Sequence, residues 1–276
     1  MDDPRFHIFV HVDANTDISL FQFESYQLQH SKLYIVPTRI RTYWGDISLF
    51  DAMISTYHYA ISTGNYQWFV TLSGEDYPLH SNDFIHDYLT KQNHDLIGIS
   101  ECCSEIRFKG YSFWKLNNKL LVRMLRRALC LLGIKKRHGL VVDKTEWKIC
   151  LASQWNALSY ASVTHLINTL DRFPQIRKFF KFSHAPDELV IPTILFNSPP
   201  NAAYAPATAP LTYKTFEERA VIHFLHYTAE KGTSVTIHDE NSYHEAVSSQ
   251  KLFIRKVRTG KSEKLMDLLD QYRSSD

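Results

Sequence analysis

Trp68-Phe69-Val70-Thr71-Leu72, running without a break into Ser73-Gly74-Glu75-Asp76-Tyr77-Pro78, is the stretch whose reading decides the fold. Five aromatic and β-branched or aliphatic residues in a row predict a strand buried on both faces, and the polar run after them predicts a loop at its carboxyl end. Working outward, Phe6 to Val12 reads as a similar strand that stops at Asp13-Ala14-Asn15, and Leu33-Tyr34-Ile35-Val36 as another. Between Ile47 and Ala60 the apolar residues recur at helical spacing behind a Gly45-Asp46 cap, Ile85 to Thr90 is a short helix, and Asp95 to Ile99 a further strand. Strands alternating with helices predict a mostly parallel α/β sheet with ligands beyond the carboxyl ends of its strands. Chemistry is therefore expected at Asp13 and in the loop Ser73 to Tyr77.

The second half begins with a change of texture. From Lys115 to His138 leucine pairs alternate with Arg123, Arg126, Arg127, Lys135, Lys136 and Arg137. This predicts a basic amphipathic helix, and packing of its apolar face on the core is favoured over contact with an anionic membrane through residues 120–137. Ser153 to Leu170 contains a helix after a tight corner, Asp187 to Phe196 a short one, and Asn197 to Pro210 an irregular connection. The tail holds a helix at Ser242 to Ser249, a strand-like Leu252 to Val257 and a last helix from Ser262.

Composition narrows the function classes. With 276 residues, 44% of them hydrophobic, the chain is globular, and 31 Lys and Arg against 29 Asp and Glu are too balanced for a protein that lives on nucleic-acid phosphates. No apolar run approaches the ~20 residues needed to cross a bilayer, and the N-terminal residues do not read as a secretory signal. Four cysteines without framework spacing fit a reducing compartment, so a cytoplasmic location, peripheral on the inner membrane face, is expected. The first strand starts only five residues after Met1, from which we expect that an upstream strand and helix belong to the native gene.

Candidate chemistry lies in two places. His184-Ala185-Pro186-Asp187-Glu188 puts two carboxylates at the start of a helix, where either could serve as a base if it faced a cleft. Arg255, Lys256 and Arg258 cluster after an apolar strand, with Lys231 and Lys261 near in sequence, a pattern suited to a diphosphate as well as to a solvated rim. There is no phosphate-cradling glycine motif, no Asp-x-Asp and no His pair with metal-ligand spacing, so a metal site is not expected. A metal-dependent hydrolase built on His184, Asp187 and Glu188 stays as a minor reading.

Six short tags then fall in order: Val10-His11-Val12-Asp13, Tyr43-Trp44-Gly45-Asp46 leading to Asp51-Ala52, Leu72 to Leu79, Ser153-Gln154-Trp155-Asn156-Ala157-Leu158, Pro186-Asp187-Glu188, and Leu252-Phe253-Ile254-Arg255-Lys256. In that order they resemble glycosyltransferase family 14, the core-2/I-branching β-1,6-N-acetylglucosaminyltransferases and peptide O-xylosyltransferases, in a bacterial-type form. The resemblance implies a single α/β domain of GT-A type, a Rossmann-like mixed sheet flanked by helices that lacks its first strand and helix here. Residues 1–110 would form the nucleotide-sugar half, 111–150 a basic helical insertion and 151–276 the acceptor and catalytic half.

The resemblance also implies an inverting transfer of GlcNAc or xylose from a UDP-sugar to a hydroxyl of a glycan or lipid-linked saccharide, without metal or other cofactor. Carried over by motif, Glu188 is the general base. Asp13, Lys231, Gly74, Asp76, Arg255 and Lys256 meet the donor, with Lys256 at the diphosphate, and Trp155, Glu75 and Tyr77 border the acceptor. The arginine that family members place upstream of this lysine falls here on Thr233, a departure for which Lys231, Arg255 or Arg258 would compensate. A non-catalytic carbohydrate- or UDP-binding domain is the alternative reading.

Overall fold

The computed structural model describes residues 1–21, 28–102, 104–116, 118–136, 138–198, 215–228 and 234–275. Strand β1 (His7–Val10) lies parallel to β2 (Lys32–Ile35), and helix α1 (Ile47–Thr63) follows. Asp46 caps α1 by accepting from the Ser48 amide at 3.0 Å, which is what the Gly45-Asp46 pair predicts. Strands β3 (Trp68–Val70) and β4 (Asp76–Pro78) flank the loop at Ser73, and α2 (Asn82–Thr90) starts at a Ser81 cap. Then come β5 (Ser100–Glu101), α3 (Glu105–Lys109) and α4 (Lys119–Leu131). A hairpin of β6 (Leu140–Val142) and β7 (Thr145–Trp147) leads through β8 (Cys150–Leu151) and β9 (Ala157–Ser159) into α5 (Tyr160–Arg172) and α6 (Gln175–Phe180).

A single 3₁₀ turn, Pro186–Glu188, precedes α7 (Val190–Asn197). Beyond it lie α8 (Phe216–Arg219), β10 (His223–Phe224), β11 (Tyr227–Thr228), β12 (Ser234–Val235), α9 (Tyr243–Ser248), β13 (Phe253–Arg255) and α10 (Glu263–Ser275). The expected helices and most of the expected strands are present, and the whole agrees with a mixed α/β fold of GT-A type. The connection expected at Asn197 to Pro210 lies, from 199 on, outside the described residues.

Two expectations need correction. The pairing is not mostly parallel: β1–β2 and β10–β13 are parallel, whereas β3–β9, β4–β13 and β5–β8 are antiparallel. Strand-helix alternation predicts parallel order, but β9 and β13 come from some 90 and 175 residues further along the chain to pair with β3 and β4, a choice local patterning does not carry. Asp95 to Ile99 makes only an isolated bridge, Leu96 to Ala157. There Asp95 is buried and acts as a staple instead, accepting from the Ser159 amide at 2.8 Å and from the Ser162 hydroxyl at the start of α5.

The pairing interleaves the halves of the chain. The sheet order β10-β13-β4 places Arg255 opposite Asp76, and β9 places Ala157 opposite Val70. The main core gathers Phe50, Tyr57, Phe69, Leu158, Leu166, Phe180 and the whole inner side of α7, which is apolar almost all round and correspondingly buried. A second apolar cluster, Leu79, Phe224, Ile254, Val257, Leu265 and Leu269, holds α10 under β13 and β4. These two cores fix, respectively, the turn at Glu188 and the loop at Ser73. Among the described residues no helix is long and apolar enough to cross a membrane.

Candidate active site

Glu188 closes the 3₁₀ turn, and the turn is held by backbone from three directions. The His184 amide donates to the Arg107 carbonyl at 2.8 Å, the Ala185 amide to the Gly45 carbonyl at 3.1 Å, and the Glu188 carbonyl accepts from the Ala152 amide at 3.0 Å. Ala185 itself is left-handed, with φ 51°, a conformation costly for a residue with a Cβ and sustained here by those three bonds. Gly45 is also left-handed (φ 72°), and a Cβ on it would sit 2.8 Å from the Trp114 indole. Glycine is therefore required at this point of the Tyr-Trp-Gly-Asp tag by both backbone and contact. Trp114 in turn stacks on the His184 ring and meets Trp44 edge-on.

The carboxylates of the turn are poorly solvated. Glu188 is largely buried and its Oε2 takes an ion pair from Arg107 on α3. Burial raises its pKa above the ordinary glutamate value, and Arg107 holds part of that rise back. Asp187 is buried, its Oδ1 has no hydrogen-bond partner among the described residues, and desolvation with the adjacent Glu188 charge raises its pKa as well. His184 goes the other way: burial, Arg107 and Arg126 push it down to about 3, so it stays neutral. Arg219 at the end of α8 and Tyr227 on β11 complete the surroundings, both within electrostatic reach of Glu188. Arg219 is seated by Gly98, where a Cβ would meet the arginine backbone at 2.8 Å.

The second group of residues surrounds the loop after β3. Asp76 Oδ2 accepts from the Ser73 amide at 2.6 Å and its Oδ1 from Arg255 at 2.7 Å, so the loop is folded around this carboxylate. His223 stands 3.6 Å from the same carboxylate, beyond hydrogen-bond distance. Burial opposes the charge on Asp76, but His223 and Arg255 outweigh it and its pKa is lowered. The Arg255 guanidinium also lies over the Trp155 ring at 4.0 Å, joining the tags at 73–78, 153–158 and 252–256 in one contact. Glu75 projects from the same loop and is shared by Lys256, at 2.6 Å, and Arg258. Burial works against its charge too, and the two cations more than offset this, so its pKa is lowered. Gly74 is exposed, with open space where a side chain would be.

The structure thus brings Glu75, Asp76, Trp155, Arg255 and Lys256 together. Tyr227 lies within electrostatic reach of both Arg255 and Glu188. Two other expected residues are placed differently. Asp13 accepts from the Asn15 amide at 2.7 Å and from Thr42, and these bonds, outweighing its burial, lower its pKa and fasten the β1 loop to the 39–42 segment. The Tyr77 hydroxyl donates to Asp270 of α10 at 2.8 Å, a tie to the second core. Lys231 and Thr233 lie outside the described residues. Sequence reasoning missed Arg107, Arg219, His223 and Tyr227 as site residues. Each is a single polar residue in a segment without a tag, and only the fold carries it to the site.

Among the described residues no three His, Cys, Asp or Glu side chains converge as a metal site would require. Comparison with known proteins bears on the same residues. The profile of the Core-2/I-Branching enzyme family matches residues 2–253, nearly the whole chain. The chain belongs to the Core-2/I-branching enzyme family. Among curated relatives, xylosyltransferase 2 of Mus musculus is 23% identical over 269 residues, covering 95% of this chain and 30% of the mouse protein. Xylosyltransferase 2 of Rattus norvegicus is 26% identical over 196 residues, 69% of this chain and 21% of the rat protein. Xylosyltransferase 1 of Homo sapiens is 23% identical over 207 residues, 69% of this chain and 19% of the human protein. This Core-2/I-branching chain therefore spans less than a third of the length of these relatives.

Proposed function

We propose that this Core-2/I-branching family member is an inverting, metal-independent glycosyltransferase that moves a sugar, GlcNAc or xylose, from UDP to a hydroxyl of a glycan or lipid-linked saccharide. The observation that carries the reading is the paired design of the site. Glu188 is a largely buried carboxylate with a raised pKa, engaged by Arg107, and a separate pair of cations, Lys256 and Arg258, gathers on Glu75 at the end of β13. Glu188 acts as the base. Arg107 engages Oε2, and Oε1, the oxygen outside that pair, receives the proton of the acceptor hydroxyl as its oxygen attacks the anomeric carbon. The bond from that carbon to the diphosphate breaks, and UDP leaves with its charge held by Lys256, with Arg258 beside it. Glu75 keeps both cations in place until the diphosphate competes for them.

Arg255 serves the donor indirectly in this scheme. Its guanidinium is committed to Asp76 and Trp155, so it orders the Ser73–Tyr77 loop while Lys256 supplies the charge. Metal independence is supported by the absence of Asp-x-Asp in the sequence together with these side-chain cations. The relatives' name, xylosyltransferase, puts UDP-xylose beside UDP-GlcNAc at the head of the donor panel. A reducing compartment, with the reaction in the cytoplasm, is supported by the four cysteines, whose spacing in the sequence forms no disulfide framework.

The test is UDP release from a panel of UDP-sugars in the presence of EDTA, with wild-type chain and Glu188→Gln. Release from one donor that falls by ~10²–10⁴-fold in the variant is the expected result. Release that survives Glu188→Gln, or that EDTA abolishes, overturns the mechanism. Tight donor binding with no turnover in either form would instead make this a binding domain.

A further inference from the structure

Helix α4 does not bury the face that its sequence predicts. Val122 is buried at 1% exposure, but Leu120 is 66% exposed, Met124 59%, Leu131 89% and Leu132 73%. Leu120, Met124 and Leu131 stand at i, i+4 and i+11 and so form one stripe, turned to the side opposite Val122. The preference for packing on the core is thus corrected: only the flank around Val122 packs, because the apolar sector of this helix is wider than the strip the core can cover. One step round the helix from the stripe stand Arg123 and Arg127, both exposed. From Lys115 to His138 the chain holds eight Lys and Arg and no Asp or Glu.

We propose that α4 lies in the surface of an anionic lipid leaflet, with the Leu120-Met124-Leu131 stripe among the upper acyl chains and Arg123 and Arg127 at the headgroups. Thirteen residues make a helix of about 20 Å, too short to span a ~30 Å hydrocarbon core but suited to lying in its plane. The charge pattern selects this occupant. Two copies pairing through the stripe about a two-fold axis would set the arginines of one against those of the other, and a nucleic acid would leave the leucines in water. Anionic lipid satisfies the stripe and the cations together. Arg126, on the inner side, lines a cavity of about 200 Å³ with Ile106 and Ile134 and lies within electrostatic reach of Arg107, so the docked helix would bring the Glu188 turn close to the leaflet. The docking itself does not depend on the role given to Glu188.

Flotation of the full chain with vesicles of phosphatidylcholine, alone or mixed with phosphatidylglycerol, tests this. The wild-type chain is expected to float with the mixed vesicles only and to be released by high salt. Arg123→Gln with Arg127→Gln should lower partitioning by about 25-fold, close to fivefold per arginine. Leu120→Ser with Met124→Ser and Leu131→Ser should abolish it, and since all three side chains are exposed, unchanged circular dichroism and thermal unfolding are expected. A wild-type chain that stays at the bottom of the gradient overturns the proposal. So do variants that float as the wild type does, or a dimer in sedimentation that the triple variant dissolves without any vesicle binding.

Discussion

The turn at 184–188 and the loop at 73–78 handle carboxylates in opposite ways. In the turn, Asp187 and Glu188 are withdrawn from water, a cost that Arg107 offsets only in part, so both pKa values rise. In the loop, Asp76 and Glu75 each meet cations enough to offset their burial, and both pKa values fall. On the proposed mechanism the difference is that between a group that takes up a proton and groups that stay charged. A base gains from a pKa close to the operating pH, whereas a charged clamp gains from never titrating. The two segments are similarly polar in sequence, and their surroundings alone separate the roles.

After Glu188→Gln, the largest effect should come from removing the lysine that Glu75 holds in the clamp. Lys256→Ala is expected to lower kcat for UDP release by ~10²–10³-fold, the cost typical of losing one preorganised stabiliser of a departing oxyanion. A loss confined to KM would show that Lys256 holds donor and transition state alike. The two glycines beside these segments should differ next. Gly45→Ala forces a Cβ into a left-handed residue and against Trp114, and should cost about 1–3 kcal/mol of stability with a lower Tm. Gly74→Ala opens onto empty space and should leave Tm unchanged, so equal losses at both would break the contrast.

The smallest effect is the most diagnostic. If Glu188 is the base proposed above it works as a carboxylate, so its raised pKa is expected to place the acid limb of kcat/KM above the ordinary glutamate range, with activity rising as pH rises through it. Arg107 lowers that pKa, so Arg107→Met should move the limb to higher pH and cost several-fold at mildly acid pH while sparing the plateau. Arg107→Lys should restore the wild-type limb. A profile that does not move would mean that Arg107 serves only to fix the His184 backbone.

The fold class and most helix positions were legible in the sequence, as were the two segments proposed as centres of chemistry, because each rests on a local cue. Asp46 announces its helix, Pro186 announces the turn, and the run 68–72 announces its strand. What was not legible depends on distant partners. Nothing in Leu252 to Arg255 says that it will insert between residues 223–224 and 76–78, an insertion that commits Arg255 to Asp76 and Trp155. Arg107 and Arg219 have no tag at all. The leucines of α4 misled for another reason: amphipathic spacing reports that a face is apolar but not what covers it.

The insertion of β13 as the middle strand of β10-β13-β4 also bears on how the chain is made. Pro78 and Tyr77 find their partners Phe253 and Ile254 only after some 175 intervening residues have been synthesised. Until then the edge of β4 is unpaired and Leu79 lacks the cluster that buries it, so the nascent protein carries an open, sticky strand through most of translation. Closing so long a loop is slow, and topologies of this kind fold late and all at once. The Ser73–Tyr77 loop is thus among the last parts to settle, and an interrupted chain that stops short of Phe253 would present neither the loop nor a quiet surface.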